Sequence, residues 1–289
     1  MTPFVLGVIA VLLAGPVPAL LARWKWLHHT PFASMVLWQA VALAAVLSAV
    51  GAGLSLITDS TWNKDHAPWG STAAVLAGLL TVSVVIRLLI SGHRVGTSLR
   101  ATRRRHREQL DLVADRLGSH GRVRVLDHDV PVAYCVPGVG NPRVVVSGAA
   151  LQRLEKRQLD AVFAHEKAHL KARHDLVLEA FTVLHRAFPA WVSSSAALRE
   201  VRLLVEILAD RAALRVGSPK DLAHALLAMA SGRAPEGAMG VGTVDLVERV
   251  RVLGDLKPRP LQVFCLLAVS WALLVAPTAL VVAPWLNEL

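Results

Sequence analysis

Apolar positions are bunched along this chain. Four runs, residues 3–22, 34–57, 72–90 and 261–285, are almost continuously apolar. They show neither the alternation of a half-buried strand nor the one-sided stripe of a surface helix. Each is close to the roughly 20 helical residues that cross a hydrocarbon core. Residues 92–260 instead mix charged and apolar positions as a folded domain does. The pattern predicts three transmembrane helices (3–22, 34–57, 72–90), an inserted domain (92–260), and a fourth transmembrane helix with a short tail (261–289).

A mean hydropathy of +0.48 agrees with a membrane protein. The first run lacks a basic segment ahead of it, and Pro16 and Pro18 interrupt it, so it reads as a retained span rather than a cleaved leader. Trp24, Trp26, Trp62, Trp69 and Trp285 lie at or just beyond the ends of the runs, where an indole finds both apolar and wet surroundings. Arg87, near the end of the third run, reads as a side chain snorkelling to the interface.

Charge then sets the orientation. The loop at 23–33 has Arg23 and Lys25 and no acid, while the loop at 58–71 sets Lys64 against Asp59 and Asp65. Directly after the third run comes the arginine-rich "HRVGTSLRATRRRHR", residues 93–107. Nearly all of the formal net charge of +10 falls in 92–260. Basic loops stay inside, so the inserted domain is expected in the cytoplasm of a cell membrane protein, with both termini outside. Beside a span, the cluster at 103–107 reads as a topology signal and a contact for anionic lipid, not as a nucleic-acid site. Cys135 and Cys265 are the two cysteines, too few for a cysteine zinc site, and no disulfide between them is expected.

The inserted domain should open with a helix at 100–117 closed by Gly118. The segment "RVRVLDHDVPVAYCVPGVGNPRVVVS", residues 122–147, has β-branched runs broken by Pro131, Pro137-Gly138 and Asn141-Pro142, and reads as two or three strands. Helices follow at about 149–154, 156–173, 176–187 and 196–216, the last stopped by Gly217. Another begins at Ser218-Pro219-Lys220-Asp221, with its cap, first-turn proline and acid in order.

The chemistry concentrates in "AVFAHEKAHLKARHDLVLEAF", residues 161–181. His165 and His169, four apart, leave one helix face and can share a metal ion. Glu166 can reach a water on that ion without ligating it, the H-E-x-x-H arrangement of zinc hydrolases. Alone the pentapeptide is weak, since chance gives it in roughly one or two of a hundred such chains. Apolar flanks bury the cluster, where histidine and glutamate need partners. A catalytic zinc takes three protein ligands and leaves one position open, and "VEILADRAAL" can supply Glu206 as the third, with Asp210 one turn on to orient an imidazole. Tyr134, His174, His185 and His224 are candidates for stabilising an oxyanion.

"HEKAHLKARHD", "FPAW", "EILADRAAL" and "PVAYCVPG…PRVVVSGAALQRL", in a layout of three spans, a domain and a fourth span, resemble the BlaR/MecR-type integral membrane zinc metallopeptidases of bacteria. The resemblance implies a membrane α-helical protein of four transmembrane helices with an inserted cytoplasmic α+β zincin-like metalloprotease domain. It implies one catalytic zinc ion held by His165, His169 and Glu206, Glu166 as catalytic base, and Asp210, Arg173 and His174 as supporting residues. A strand at 132–136 or 143–146, carrying Ala133, Tyr134, Cys135, Val144 and Val145, would hold an extended peptide. The implied partner is a cytoplasmic protein, in the best-known case a BlaI/MecI-type transcriptional repressor, with membrane lipid as a second contact and an oligomer compatible with the sequence. The beta-lactam receptors continue into an extracellular penicillin-binding domain, whereas this sequence runs to Leu289, so no sensed signal is implied. HtpX-type quality-control proteases share H-E-x-x-H and E-x-x-x-D. A non-catalytic adaptor with a structural zinc would need a fourth ligand, and a channel would need more intramembrane charge than Arg87.

Overall fold

The computed structural model describes residues 2–62, 69–117, 123–138, 142–189, 195–230 and 243–286. Gly118, expected to close a helix, Trp191 of "FPAW" and the tail at 287–289 lie outside them. In chain order the helices α1 (Thr2–Ala14), α2 (Pro16–Leu21), α3 (Pro31–Trp62) and α4 (Trp69–Val113) precede the strands β1 (Asp115–Leu117), β2 (Val123–Leu126), β3 (Ala133–Val136) and β4 (Arg143–Ser147). Then come α5 (Gly148–Arg153), α6 (Lys156–Ala172), α7 (His174–Ala187), α8 (Ser195–Ala213), α9 (Pro219–Ala230), α10 (Thr243–Leu253) and α11 (Pro260–Leu286). The chain divides into two compact units, one of Met1–Arg94, Ala180–Val201 and Arg259–Leu289, the other of Val95–Glu179 and Arg202–Pro258.

Among the described residues, four helices are long and apolar enough to cross a membrane: Thr2–Leu21, Pro31–Ile57, Thr72–Val113 and Pro260–Val282. The first is broken rather than smooth. Gly15 leaves helical geometry and Pro16 restarts the helix, because a proline ring clashes with the preceding turn and has no N–H to donate. α3 packs against α1 and α11 and buries Trp38, Val41 and Ala44. Trp24 and Trp26 stack with ring centroids 5.8 Å apart and stay half-exposed. Arg87 does more than snorkel: its Nη1 approaches the Ala187 carbonyl at 3.5 Å, at the C-terminus of α7, where a cation suits the helix dipole. The short 3₁₀ turn Lys25–His29 carries a buried His28 whose Nε2 lies 2.9 Å from Glu200 Oε2 on α8.

The second unit holds a four-stranded sheet in the order β1-β2-β4-β3. β2 and β4 are parallel and the other pairs antiparallel. β4, "RVVVS", is paired on both sides and buried along its whole length, whereas among the described residues β3 is paired only to β4 and forms an edge. The expected helix at 100–117 is corrected twice. No proline interrupts residues 69–113, so the third apolar run continues without a break into α4, and residues 115–117 leave the helix to form β1.

Several of the basic residues prove to be internal clamps. Asp111 on α4 accepts from Arg124 of β2, at 3.1 and 2.7 Å, and from Arg143 of β4, at 3.2 Å twice. Arg107 donates to the Pro137 carbonyl, and Arg103 sits 3.4 Å from both Asp175 and Glu179. Arg104 and Arg105 remain exposed. Both guanidiniums on Asp111 are buried. Asp111→Ala is therefore expected to cost ~1–3 kcal/mol, read as a lower melting temperature in detergent, even though Asp111 itself is partly exposed.

The termini that fix α6 and α9 are local. Glu155 and Gln158 form a reciprocal capping box at the start of α6. Ser218 Oγ accepts from the Asp221 N–H at 3.1 Å and donates to its carboxylate at 2.7 Å, as the spacing predicts. Gly217 has a further role. A Cβ there would come within 2.9 Å of Ala161 Cβ, so the glycine lets the chain leaving α8 approach α6 closely.

Candidate metal centre

Five residues of α6 face inward: Ala161, Val162, His165, Glu166 and His169. The first two are the packing half of that face, against Leu222 and Leu226 of α9 and Val146 of β4. The last three are the polar half, and they meet α8. His165 Nε2 and His169 Nε2 are 3.0 Å apart, and Glu206 brings Oε2 to 3.4 Å of the first and Oε1 to 3.6 Å of the second. One ligand atom from each of the three lies within 4.8 Å of the others. Two imidazole nitrogens and one carboxylate oxygen, converging in a buried place, are the donor set of a three-ligand zinc site with one position to spare. The residues fit the ion.

Each ligand is held from behind. His165 Nδ1 faces Asp210 Oδ1 at 2.9 Å, and His169 Nδ1 faces His174 Nδ1 at 3.0 Å. Both rings thereby turn Nε2 toward Glu206, as outer partners of metal-bound histidines do. His174 reaches this place because Arg173 takes the left-handed conformation, φ 52°, between α6 and α7. Arg173 itself is half-exposed and pairs with Asp175 at 3.2 Å, so its support is delivered through the backbone turn.

The electrostatics suit a cation. Burial pushes the His165 ring down, but the Asp210 and Glu206 carboxylates outweigh it and lift it to about 10. Burial lowers His169 to about 3, which leaves its ring neutral with a lone pair to offer. Glu206 stays well below the usual carboxylate range, because His165 and Arg249 overcome its burial. Glu166 moves the other way. Burial raises it above the ordinary glutamate value, with His165 opposing.

The sequence reading missed one residue of the centre. Arg249 of α10 is 2% exposed and donates from Nε and Nη2 to the two oxygens of Asp210, both at 2.7 Å. Its Nη1 lies 3.0 Å from Glu206 Oε2. A signal was present in "TVDLVERVRVL": Leu246, Arg249 and Leu253 share one helix face, and a lone arginine in an apolar stripe requires a buried partner.

The proposed substrate strand is narrowed by topology. Val144 and Val145 sit on β4, whose backbone is paired on both sides, so they cannot receive a peptide. Ala133, Tyr134 and Cys135 lie on the edge strand β3, which packs on α6. Ala133 joins the cluster containing Val162 of α6, and the Cys135 thiol donates to Glu166. Tyr134 alternates to the other face, where its hydroxyl meets His106 Nε2 at 3.0 Å beside Leu110 and Val136. Tyr134 thus points away from the centre, His174 is engaged by His169, and His224 is exposed on α9.

A small sheet beside a helix that presents two histidines and a glutamate, completed by a second helix, defines a metallopeptidase-like centre. Residues 100–253, more than half of the chain, match Peptidase family M48, and the chain belongs to that family. It is 31% identical, over 146 residues, to the Plastoglobule-localized metallopeptidase 48, chloroplastic, of Arabidopsis thaliana. That stretch covers 46% of this chain and 41% of the relative, so the chain spans less than half of the relative's length. No solved structure matches.

Proposed function

We propose that this M48 protein is an integral membrane zinc endopeptidase of the H-E-x-x-H type. The observation that carries the reading is the convergence of His165, His169 and Glu206 beside the buried carboxyl of Glu166. When bound, zinc supplies the Lewis acidity that activates a water and polarises a scissile carbonyl. Glu166 takes the proton of the attacking water and returns it to the leaving amine. The free edge of β3 aligns the peptide as an added strand, and the buried setting of α6 and α8 keeps bulk water from the proton route.

The domain faces the cytoplasm in this reading, as the basic segment after the third span requires. Arg104 and Arg105 offer the exposed charge for anionic lipid, at roughly 1 kcal/mol each near the surface. The substrate is a cytoplasmic protein, by the BlaR/MecR resemblance a repressor of the BlaI/MecI type. A strain carrying Glu166→Ala, compared with wild type by mapping new protein N-termini, tests this. Loss of fragments from a cytoplasmic regulator supports it. Loss confined to exported or membrane-spanning proteins removes the repressor and leaves an HtpX-like quality-control role. A reporter active only outside the membrane should be silent when inserted at 118–121 and active after Leu289. The reverse would overturn the orientation.

A further inference from the structure

Arg249 of α10 reaches two acids of α8, and its contacts go beyond those of a packing residue. α10 is seated by apolar clusters on both sides. Leu253 packs with Ala161, Ala213 and Leu222, and Val252 packs with Leu203 and Ile207. Between them the guanidinium is held almost without solvent. It uses one edge, Nε and Nη2, for both oxygens of Asp210, and Nη1 for one oxygen of Glu206. Asp210 in turn faces His165. A single side chain thus ties the carboxylate ligand to the partner that orients the first histidine ligand.

We propose that Arg249 is the positioning residue of the metal centre: by engaging Oε2 of Glu206 and both oxygens of Asp210, it sets the pose of the third ligand and of the His165 ring before zinc arrives. This rests on the metallopeptidase reading above. The planar fork matters. Two carboxylates at fixed angles are matched by three N–H groups in one plane, which an ammonium cannot reproduce. Charge matters as well. Glu166, Glu206 and Asp210 converge in a buried place, and Arg249 offsets one of those charges where water cannot. Because its contacts are to carboxylates behind the ligand atoms, Arg249 acts on the metal through Glu206 and His165 and leaves the peptide to β3.

The test compares wild type with Arg249→Lys, as the full chain in detergent. Zinc affinity is read by chelator competition, ligand geometry by the visible spectrum of the cobalt(II)-substituted protein, and stability by thermal unfolding. Arg249→Lys is expected to weaken zinc about 10–100-fold, to alter the cobalt spectrum, and to lower kcat with KM nearly unchanged. Unaltered zinc affinity and cobalt spectrum in a folded Arg249→Lys would overturn the proposal and leave Arg249 a structural residue. A rise confined to KM would overturn it too, assigning Arg249 to the substrate. Should Arg249→Lys not fold, the double variant Arg249→Leu/Asp210→Leu removes the buried pair together, a replacement buried pairs often tolerate. Zinc affinity in that variant equal to wild type or to Asp210→Leu alone sinks the proposal, and affinity weaker than in Asp210→Leu alone, where Arg249 still reaches Glu206, sustains it. A wild-type chain that takes up no zinc in the same titration would instead bring down the metallopeptidase reading itself.

Discussion

Glu166→Gln is expected to purify with about one zinc per chain and to lose peptide hydrolysis by roughly 10²–10⁴-fold, the range for removing a positioned general base. His169→Ala and Glu206→Gln are expected to fail one step earlier, with little metal retained after dialysis. The separation follows from placement. His165, His169 and Glu206 supply the three converging atoms, whereas Glu166 lies beside them on α6 with burial holding its carboxyl above the usual range. Metal analysis and cleavage of a generic unfolded protein, run on the same samples, decide the matter. Full zinc in Glu206→Gln would move the third ligand elsewhere. Glu179 and Glu200 are already engaged, with Arg103 and His28 respectively, and neither belongs to the converging set.

The second large effect is expected at Asp210. Removing its carboxylate in Asp210→Ala leaves a guanidinium 2% exposed without its bidentate partner, and frees the Nδ1 face of His165. Breaking a buried ion pair from one side costs about 3–5 kcal/mol, and loss of a ligand's outer partner weakens metal about 10–100-fold. Asp210→Ala should therefore lose both melting temperature and zinc affinity, while Asp210→Asn, which keeps one acceptor oxygen, should lose less of each. Equal stability of Asp210→Ala and wild type in thermal unfolding would show that the Arg249 pairing contributes nothing to the fold.

Much of this protein is local and was therefore legible in one dimension. Continuous apolar runs marked the four helices long enough to cross a membrane, because a bilayer asks only for length and apolarity. The four-residue spacing of His165 and His169, and of Glu206 and Asp210, placed each pair on one helix face, because helical periodicity is set by the backbone. The cap at Ser218 could be read directly for the same reason: the groups that satisfy it lie three residues apart. What lay between elements was not legible. Whether α4 stops near residue 90 or runs to Val113 depends on partners for its polar half, and Arg124, Arg143 and Pro137 supply them from the sheet. The strand that keeps a free edge depends on strand order: β3 and β4 look alike in sequence, yet β4 ends in the middle with both sides paired. The apolar stripe around Arg249 calls for a buried partner without naming it, and only when α10 folds onto α8 and α9 do Asp210 and Glu206 become the acids it meets. Sequence determined which residues share a face. Tertiary structure decided which faces meet, because desolvation and pairing act through space and not along the chain.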